Sequence, residues 1–493
     1  MNATSSLSEL DRNLTDITDL LRGNVSKEKY KNYVSPLLFL FALETRYDRE
    51  ASAKKEVRYD LPEEPSISDI TTASANIDQL VDRWFDEFRK LNGVDILEMR
   101  YSDETSLDDN VMQRLIARTR NIDFEHTPRD LLGEAYMNMM KRFAHEEGGE
   151  YFTPPTLSHL LARVLYTLDD GFDEDSSFHD PTAGSAGLLI ETASLIRDDP
   201  DDRQPEGNIT SLETVTTKYE FSGQELDPQI YKLGQMNLAL HGMAGTRLRR
   251  EDSLSSPQFA NGDNLETFDY IVANPPFSQN WDKDRFNSGD DFQRFDWANK
   301  LPRANRADYA FLMHMDEHLS DEGMVASVIP LGVLYRNDEQ TYREYLIDND
   351  LVEAIIVLPE KLFENTTAPT AILVLNRDKP SGHEGEVLFV NADIEGKFYE
   401  TSGNGRNELL DSGIREICKI LSWKTKERVS RVVTNNEIRE TNYNLNLSLY
   451  VDTTEPQPEI DVSTQFEKIC KLKAEYDSLH DQLNEYVEQL GYE

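Results

Sequence analysis

The chain has 493 residues, and 92 acidic against 51 basic side chains leave a formal net charge of −41. No N-terminal stretch has the layout of a secretion signal and no run of about 18 apolar residues could span a bilayer, so a soluble cytoplasmic protein is expected. Cys418 and Cys470 form no CxxC pair, which excludes a disulfide framework and a zinc site, and no metal is expected. Carboxylates repel phosphate backbones, yet these are spread among well-patterned apolar segments, as a protein adapted to a halophilic cytoplasm would carry them.

At the front, Leu7, Leu10, Leu14, Ile17 and Leu21 repeat at three- and four-residue spacing, which predicts a helix. Further helices are expected over 30–47, 77–91 and 110–120, with a polar, proline-containing loop over 51–74. Residues 1–145 thus read as an all-helical domain. From about Gly148 short β-rich runs alternate with helical patterns, the mark of a doubly wound parallel sheet. Strands are expected over 177–180, 218–224, 268–273, 323–330, 351–358 and 371–376, within a domain over 146–455, and 198–208 reads as a polar surface insertion. In a last segment, 460–493, Ile469, Leu472, Tyr476, Leu479, Leu483, Tyr486 and Leu490 form an a/d seam. That seam suits either a helix packed on its own domain or a coiled coil that binds a partner.

Three motifs fall at strand ends, where open α/β sheets bind ligands. Asp180-Pro-Thr-Ala-Gly-Ser-Ala-Gly lies between a strand and the apolar helix expected over 188–196. Its small residues let helix-start amides approach a nucleotide-like cofactor. It is neither G-x-G-x-x-G nor an ATP-binding loop, and taken alone it could be a plain turn. In Gly223-Gln-Glu-Leu-Asp, Glu225 can accept bonds from both ribose hydroxyls; Asp227 is the alternative, or else the cap of a helix over 228–241. Asp252 suits either a cofactor adenine or a turn cap.

The third motif is Phe268-Asp-Tyr-Ile-Val-Ala-Asn-Pro-Pro-Phe. A buried strand delivers Asn274, and Pro275 and Pro276 stiffen the turn while removing two donors. The Asn274 oxygen and the Pro275 carbonyl remain as acceptors beside the ring of Phe277. An aromatic amine is a poor nucleophile, because its lone pair is delocalised into the ring. Two acceptors on its hydrogens favour a more tetrahedral nitrogen and support the positive charge that develops in methyl transfer. Phe277 could stack on an extruded base.

These residues resemble a known family. Asn274-Pro-Pro-Phe is similar to the catalytic motif of adenine-N6 methyltransferases, and Asp180-Pro-Thr-Ala-Gly to their S-adenosylmethionine motif. Glu150-Tyr-Phe-Thr-Pro-Pro resembles their further cofactor segment. Leu21-Arg-Gly-Asn with Tyr30, Ala307-Asp-Tyr-Ala-Phe, Val328-Ile-Pro-Leu-Gly-Val-Leu-Tyr-Arg, Ile355-Ile-Val-Leu-Pro and Leu362-Phe-Glu-Asn-Thr narrow the resemblance to the modification subunit of type I restriction systems. It implies a Rossmann-like S-adenosylmethionine-dependent methyltransferase domain between a helical N-terminal domain and a helical or coiled-coil tail. It also implies cofactor contacts from Glu150, Tyr151, Phe152, Thr153, Pro154 and Pro155, from Asp180, Thr182, Ala183 and Gly184, and from Glu225, with Asn274, Pro275, Pro276 and Phe277 catalytic. Ala186 departs from a fully glycine-rich loop.

The partners implied are DNA, a specificity subunit that reads its sequence, a second copy of this subunit and a motor-nuclease subunit. Residues 281–306 carry six basic and five acidic side chains, a local positive balance that makes them the expected DNA-facing loop, or else a mixed-charge solvated one. The remaining alternatives are a solitary DNA adenine methyltransferase, an amino-group methyltransferase acting on RNA or protein glutamine, and an inactive scaffold.

Overall fold

The computed structural model describes residues 7–26, 29–52, 59–92, 100–102, 107–124, 153–198, 211–363, 366–403, 405–453 and 462–491. The chain up to Val451 forms one compact unit and Asp452–Glu493 a second. Among the described residues no helix is long and apolar enough to cross a membrane.

Among the described residues the front end holds five helices, α1 (Leu7–Asp19), α2 (Tyr30–Ser52), α3 (Ile67–Thr72), α4 (Ile77–Asn92) and α5 (Asp109–Arg120). The three- and four-residue spacing is realised as burial: Leu10, Leu14, Ile17 and Leu21 enter one core with Trp84, Phe88, Leu115 and residues of α2. α3 interrupts what reads as a loop over 51–74. It is too short to show a period, but Ser66 and Asp69 form a reciprocal capping box that starts it.

Nine helices of the described residues follow: α6 (Pro155–Leu168), α7 (Gly187–Asp198), α8 (Leu212–Lys218), α9 (Pro228–Leu240), α10 (Asp308–Glu317), α11 (Gln340–Asp348), α12 (Asp411–Leu421), α13 (Asn435–Glu440) and α14 (Val462–Leu490). The strands are β1 (Ser177–Asp180), β2 (Glu220–Glu225), β3 (Arg247–Arg250), β4 (Ala260–Asn261), β5 (Asn264–Leu265), β6 (Phe268–Ala273), β7 (Leu319–Pro330), β8 (Val352–Val357), β9 (Thr370–Asn376), β10 (Glu386–Asn391), β11 (Tyr399–Thr401), β12 (Asn407–Leu409) and β13 (Ser430–Thr434).

Nine of them make one sheet in the order β13-β10-β8-β9-β7-β6-β1-β2-β3. Strand residues alternate between two cores: Tyr270 and Val272 enter one, with α6, α7 and α12, while Phe268, Ile271 and Ala273 enter the other, with α10 and α11. Helices thus cover both faces, as a doubly wound sheet requires. The sheet is mixed rather than wholly parallel, since β9 runs antiparallel to both β7 and β8, and β13 antiparallel to β10. Between β8 and β9 the described residues contain no helix, and a chain without a crossover helix returns antiparallel. β3, β10 and β13 were not expected. β3 is an edge strand of sequence Arg-Leu-Arg-Arg, with no apolar run to announce it.

α9 belongs to two cores at once. Leu238 joins the α6 and α7 side of the sheet, whereas Leu233, Met236, Ala239 and Leu240 complete the core of the front-end helices.

In the second unit, α14 exposes Ile469, Leu472, Tyr476, Leu479, Leu483, Tyr486 and Leu490. The seam read from the sequence is therefore a row of solvent-facing apolar side chains.

Candidate active site

Chain order reverses beside β1, with β2 and β3 on one side and β6 on the other. All four strands run parallel, so they deliver their carboxyl ends to one edge. Asp180, Glu225 and Asn274 lie at or just past the ends of β1, β2 and β6, and Asp252 two residues beyond β3. A cleft of about 970 Å³ opens there, walled among others by Thr182, Glu225, Asp252, Asn274, Pro276 and Trp281. That volume holds a nucleoside-sized ligand with room beside it.

The turn after β1 is moulded by its neighbours. Ala183 N–H donates to the Gln224 carbonyl, and Gly184 N–H to Glu225 Oε2 at 2.9 Å. Glu225 Oε1 accepts from Asp227 N–H at 2.7 Å. Burial raises the Glu225 pKa above its ordinary value despite these bonds. A Cβ on Gly223 would meet the Ala183 Cβ at 2.9 Å, and one on Gly234 the Gly184 carbonyl at 2.9 Å, so strand and helix close on the turn only because these positions have no side chain. Ala186 takes φ 62°, backbone that a glycine adopts at less cost, with its methyl group fully buried. Asp180 is buried, with Oδ1 accepting from Thr182 N–H and Oδ2 without a partner. Burial pushes its pKa up to about 7, and the Glu225 carboxylate adds to the shift.

Asp227 caps α9, accepting from Gln229 N–H and Ile230 N–H, and Asp252 accepts from Leu254 N–H and Ser255 Oγ. Both capping readings hold in the structure, and both residues also line the cleft.

Asn274 Nδ2 donates to Thr153 Oγ1 at 3.0 Å, while its Oδ1 is buried without a partner. Thr153, Pro154 and Pro155 lead into α6 and stand off the cleft wall, as do Asp180, Ala183, Pro275 and Phe277. Phe277 packs edge-on against Phe363, ring centres 5.5 Å apart. Glu150, Tyr151 and Phe152 lie outside the described residues.

The segment after this corner folds on itself. Ala307 N–H donates to the Gln279 carbonyl and Trp281 N–H to that of Ala304, while Asp308 accepts from Ser278 N–H and pairs with Arg336. Of the basic residues in 281–306, Arg294 is fully buried against Asp290, and Arg303 and Arg306 pair with Asp338. Lys283 and Arg285 have no ion pair among the described residues, so the free positive charge is less than the sequence count suggests.

Sequence reading missed the residues that brace this edge. Gln224 holds the turn after β3 through Glu251, Ser256 and Gln258, and Ser253 Oγ donates to the Pro181 carbonyl at 2.6 Å. Only the position of Gln224 beside Glu225 on one strand could have hinted at it.

A doubly wound sheet with a small-residue turn, a strand-end acid and an Asn-Pro-Pro-Phe corner around one cleft defines a nucleoside-cofactor methyltransferase. The model of the family "N-6 DNA Methylase" matches residues 127–459, and that of the HsdM N-terminal domain matches residues 10–119. The chain belongs to the N-6 DNA methylase family, with the front end of the type I modification subunits. It is 30% identical over 422 residues to the type I restriction enzyme MjaVIII methylase subunit of Methanocaldococcus jannaschii, covering 82% of this chain and 68% of that one. Identity to the MjaVII methylase subunit of the same organism is 31% over 391 residues, covering 77% of this chain and 63% of that one. The type I restriction-modification methyltransferase subunit of Streptococcus thermophilus shares the fold, with a TM-score of 0.72 at 24% identity, over 91% of this chain and all of that one.

Proposed function

We propose that this chain is the catalytic modification subunit of a type I system and transfers the methyl group of S-adenosylmethionine to adenine N6 in DNA. The observation that carries this reading is Asn274, an amide on a Pro-Pro corner that lines the same cleft as Glu225 and keeps a buried oxygen without a partner. A buried acceptor left unsatisfied costs about 1–3 kcal/mol, and an incoming amine offsets that cost. The cofactor fits the residues present. Thr182, Gly184 and Glu225 share the cleft wall, and Asp180 braces the turn from behind through Thr182 N–H. The absence of side chains at Gly223 and Gly234 lets strand and helix hold Thr182, Ala183 and Gly184 in place.

Glu225 is positioned for ribose hydroxyls and Asp252 for the adenine side, with Thr153, Pro154 and Pro155 behind Asn274. S-adenosylmethionine supplies, when bound, a methyl group activated on a sulfonium. Asn274 Oδ1 and the Pro275 carbonyl take the amine hydrogens and orient its lone pair, Pro276 holds the corner rigid, and Phe277 bounds the base on the side of Phe363. Sequence choice would come from a specificity subunit, with a second copy of this chain and a motor-nuclease subunit in the assembly, in the cytoplasm. The acidic excess fits work in concentrated salt, where screening shortens from about 10 Å to about 3 Å between 0.1 M and 1 M, and stability should rise over that range.

The decisive experiment co-expresses the chain with its genomic neighbours and maps methylated adenines in host DNA. Asn274→Ala should abolish the marks while leaving S-adenosylmethionine binding nearly intact. Normal methylation by that variant would refute the assignment.

A further inference from the structure

Thr153 and Asn274 lie 121 residues apart, yet their side chains meet at 3.0 Å with the amide donating. Each is followed by two prolines, Pro154-Pro155 and Pro275-Pro276. A residue before proline is confined to extended backbone, and proline has a single φ. Neither end of the bond can therefore relax locally. Each end is also anchored in a core. Pro155 opens α6, whose Leu157, Leu160, Leu161 and Leu165 are fully buried, and Asn274 leaves β6, whose last four residues are buried. The β-branched Thr153 side chain has few rotamers of its own.

An asparagine amide has the same shape at its two heads and opposite chemistry. Rotation by half a turn exchanges acceptor for donor, and the terminal torsion is broad and two-fold, so backbone rigidity does not choose between them. The neighbour chooses. With Nδ2 on Thr153 Oγ1, the oxygen is the head left without a partner.

We propose that Thr153 is a positioning residue for methyl transfer: by accepting from Nδ2 it fixes the Asn274 amide with its oxygen presented to the target amine. This role differs from direct cofactor contact, and it rests on the reading of Asn274 given above. A flipped amide would offer the amine a donor, and the transition state would lose an acceptor that ground-state binding scarcely uses.

The test uses the complex with the specificity subunit and a duplex containing the mapped site. Thr153→Val keeps the shape and removes the acceptor; Thr153→Ser keeps the hydroxyl. Thr153→Val should lower kcat about 10- to 100-fold, with affinities for S-adenosylmethionine and DNA within about 3-fold of the parent. Thr153→Ser should recover most of the rate. Thr153→Ala takes the place of Thr153→Val if the latter does not fold, with the same expected split. The inference is overturned if the valine variant turns over normally, if serine is as slow as valine, or if the whole loss lies in cofactor affinity. Asn274→Ala separates the two layers. An active Asn274→Ala removes the underlying reading, whereas an inactive one beside a normal Thr153→Val removes only the role of Thr153.

Discussion

Arg294 Nη1 donates to the backbone carbonyl of Ser253 at 3.1 Å, and Ser253 in turn donates its hydroxyl to the carbonyl of Pro181 in the turn after β1. The segment that follows the Asn-Pro-Pro corner is thereby tied, through one serine, to the turn proposed to hold the cofactor. Ser253→Ala leaves the Pro181 carbonyl without its donor, at a cost of about 1 kcal/mol, and should weaken S-adenosylmethionine binding roughly 5-fold by calorimetry. Arg294→Met strands the buried Asp290 carboxylate and should destabilise the fold by about 3–5 kcal/mol, in part recovered when Asp290 is also made apolar.

Gly223→Ala should act on the same turn from below. Its Cβ would stand 2.9 Å from the Ala183 Cβ and 3.1 Å from the Asp180 carbonyl, with no flexible side-chain end to give way at either atom. Overpacking of this kind costs about 1–3 kcal/mol. Both Tm and cofactor affinity should fall, whereas Gly403→Ala, with nothing within 4 Å of its Cβ, should change neither.

These two cases mark how far the sequence could be read. β6 carries a compact apolar run and β1, Ser-Phe-His-Asp, only the apolar Phe178, yet both end where the chain pattern puts them, and so do Asp180 and Asn274. β3 hides as Arg-Leu-Arg-Arg because an edge strand needs little apolar burial, and the reversal at β9 depends on a missing crossover helix that no local pattern announces. The bonds of Ser253 to Pro181 and of Thr153 to Asn274 join residues far apart in the chain, and periodicity carries no information about such pairs.

Acid should unfold the protein through its histidines. His318 is held down to about 4, chiefly by burial, and burial likewise keeps His179 and His314 well below the usual value. Below about 6.5 the unfolded chain binds protons that the folded one refuses. The histidine contribution is complete above about pH 6.5 and is lost as pH falls toward 4. Asp180 works in the other sense. Raised to about 7, it contributes fully below about pH 4, and that contribution fades as pH rises through 7. Denaturation curves between pH 4 and 6.5 should show a shallower slope for His318→Asn, by up to about 1.4 kcal/mol per pH unit. An unchanged slope would mean that His318 takes up its proton as readily in the folded state as in the unfolded chain.

The exposed seam of α14 should govern assembly rather than chemistry. Leu472 and Leu479 are 62% and 61% exposed, and charge at both should break a helix-helix contact of the a/d type. Leu472→Glu with Leu479→Glu should abolish co-elution with the specificity subunit on gel filtration and leave S-adenosylmethionine binding unaltered. Retained co-elution would place the contact elsewhere.

α9 limits how small this enzyme can be made. One side of the helix presses Gly234 toward the carbonyl of Gly184 and bonds Asn237 to the carbonyl of Ser185, while Leu233, Met236 and Leu240 close the core of the helices that precede the sheet. Trimming the chain to its sheet-bearing portion would leave those three side chains facing water and loosen the wall that shapes the nucleoside pocket. Catalytic half and leading half are then one inheritance, and neither can be exchanged without refitting the other.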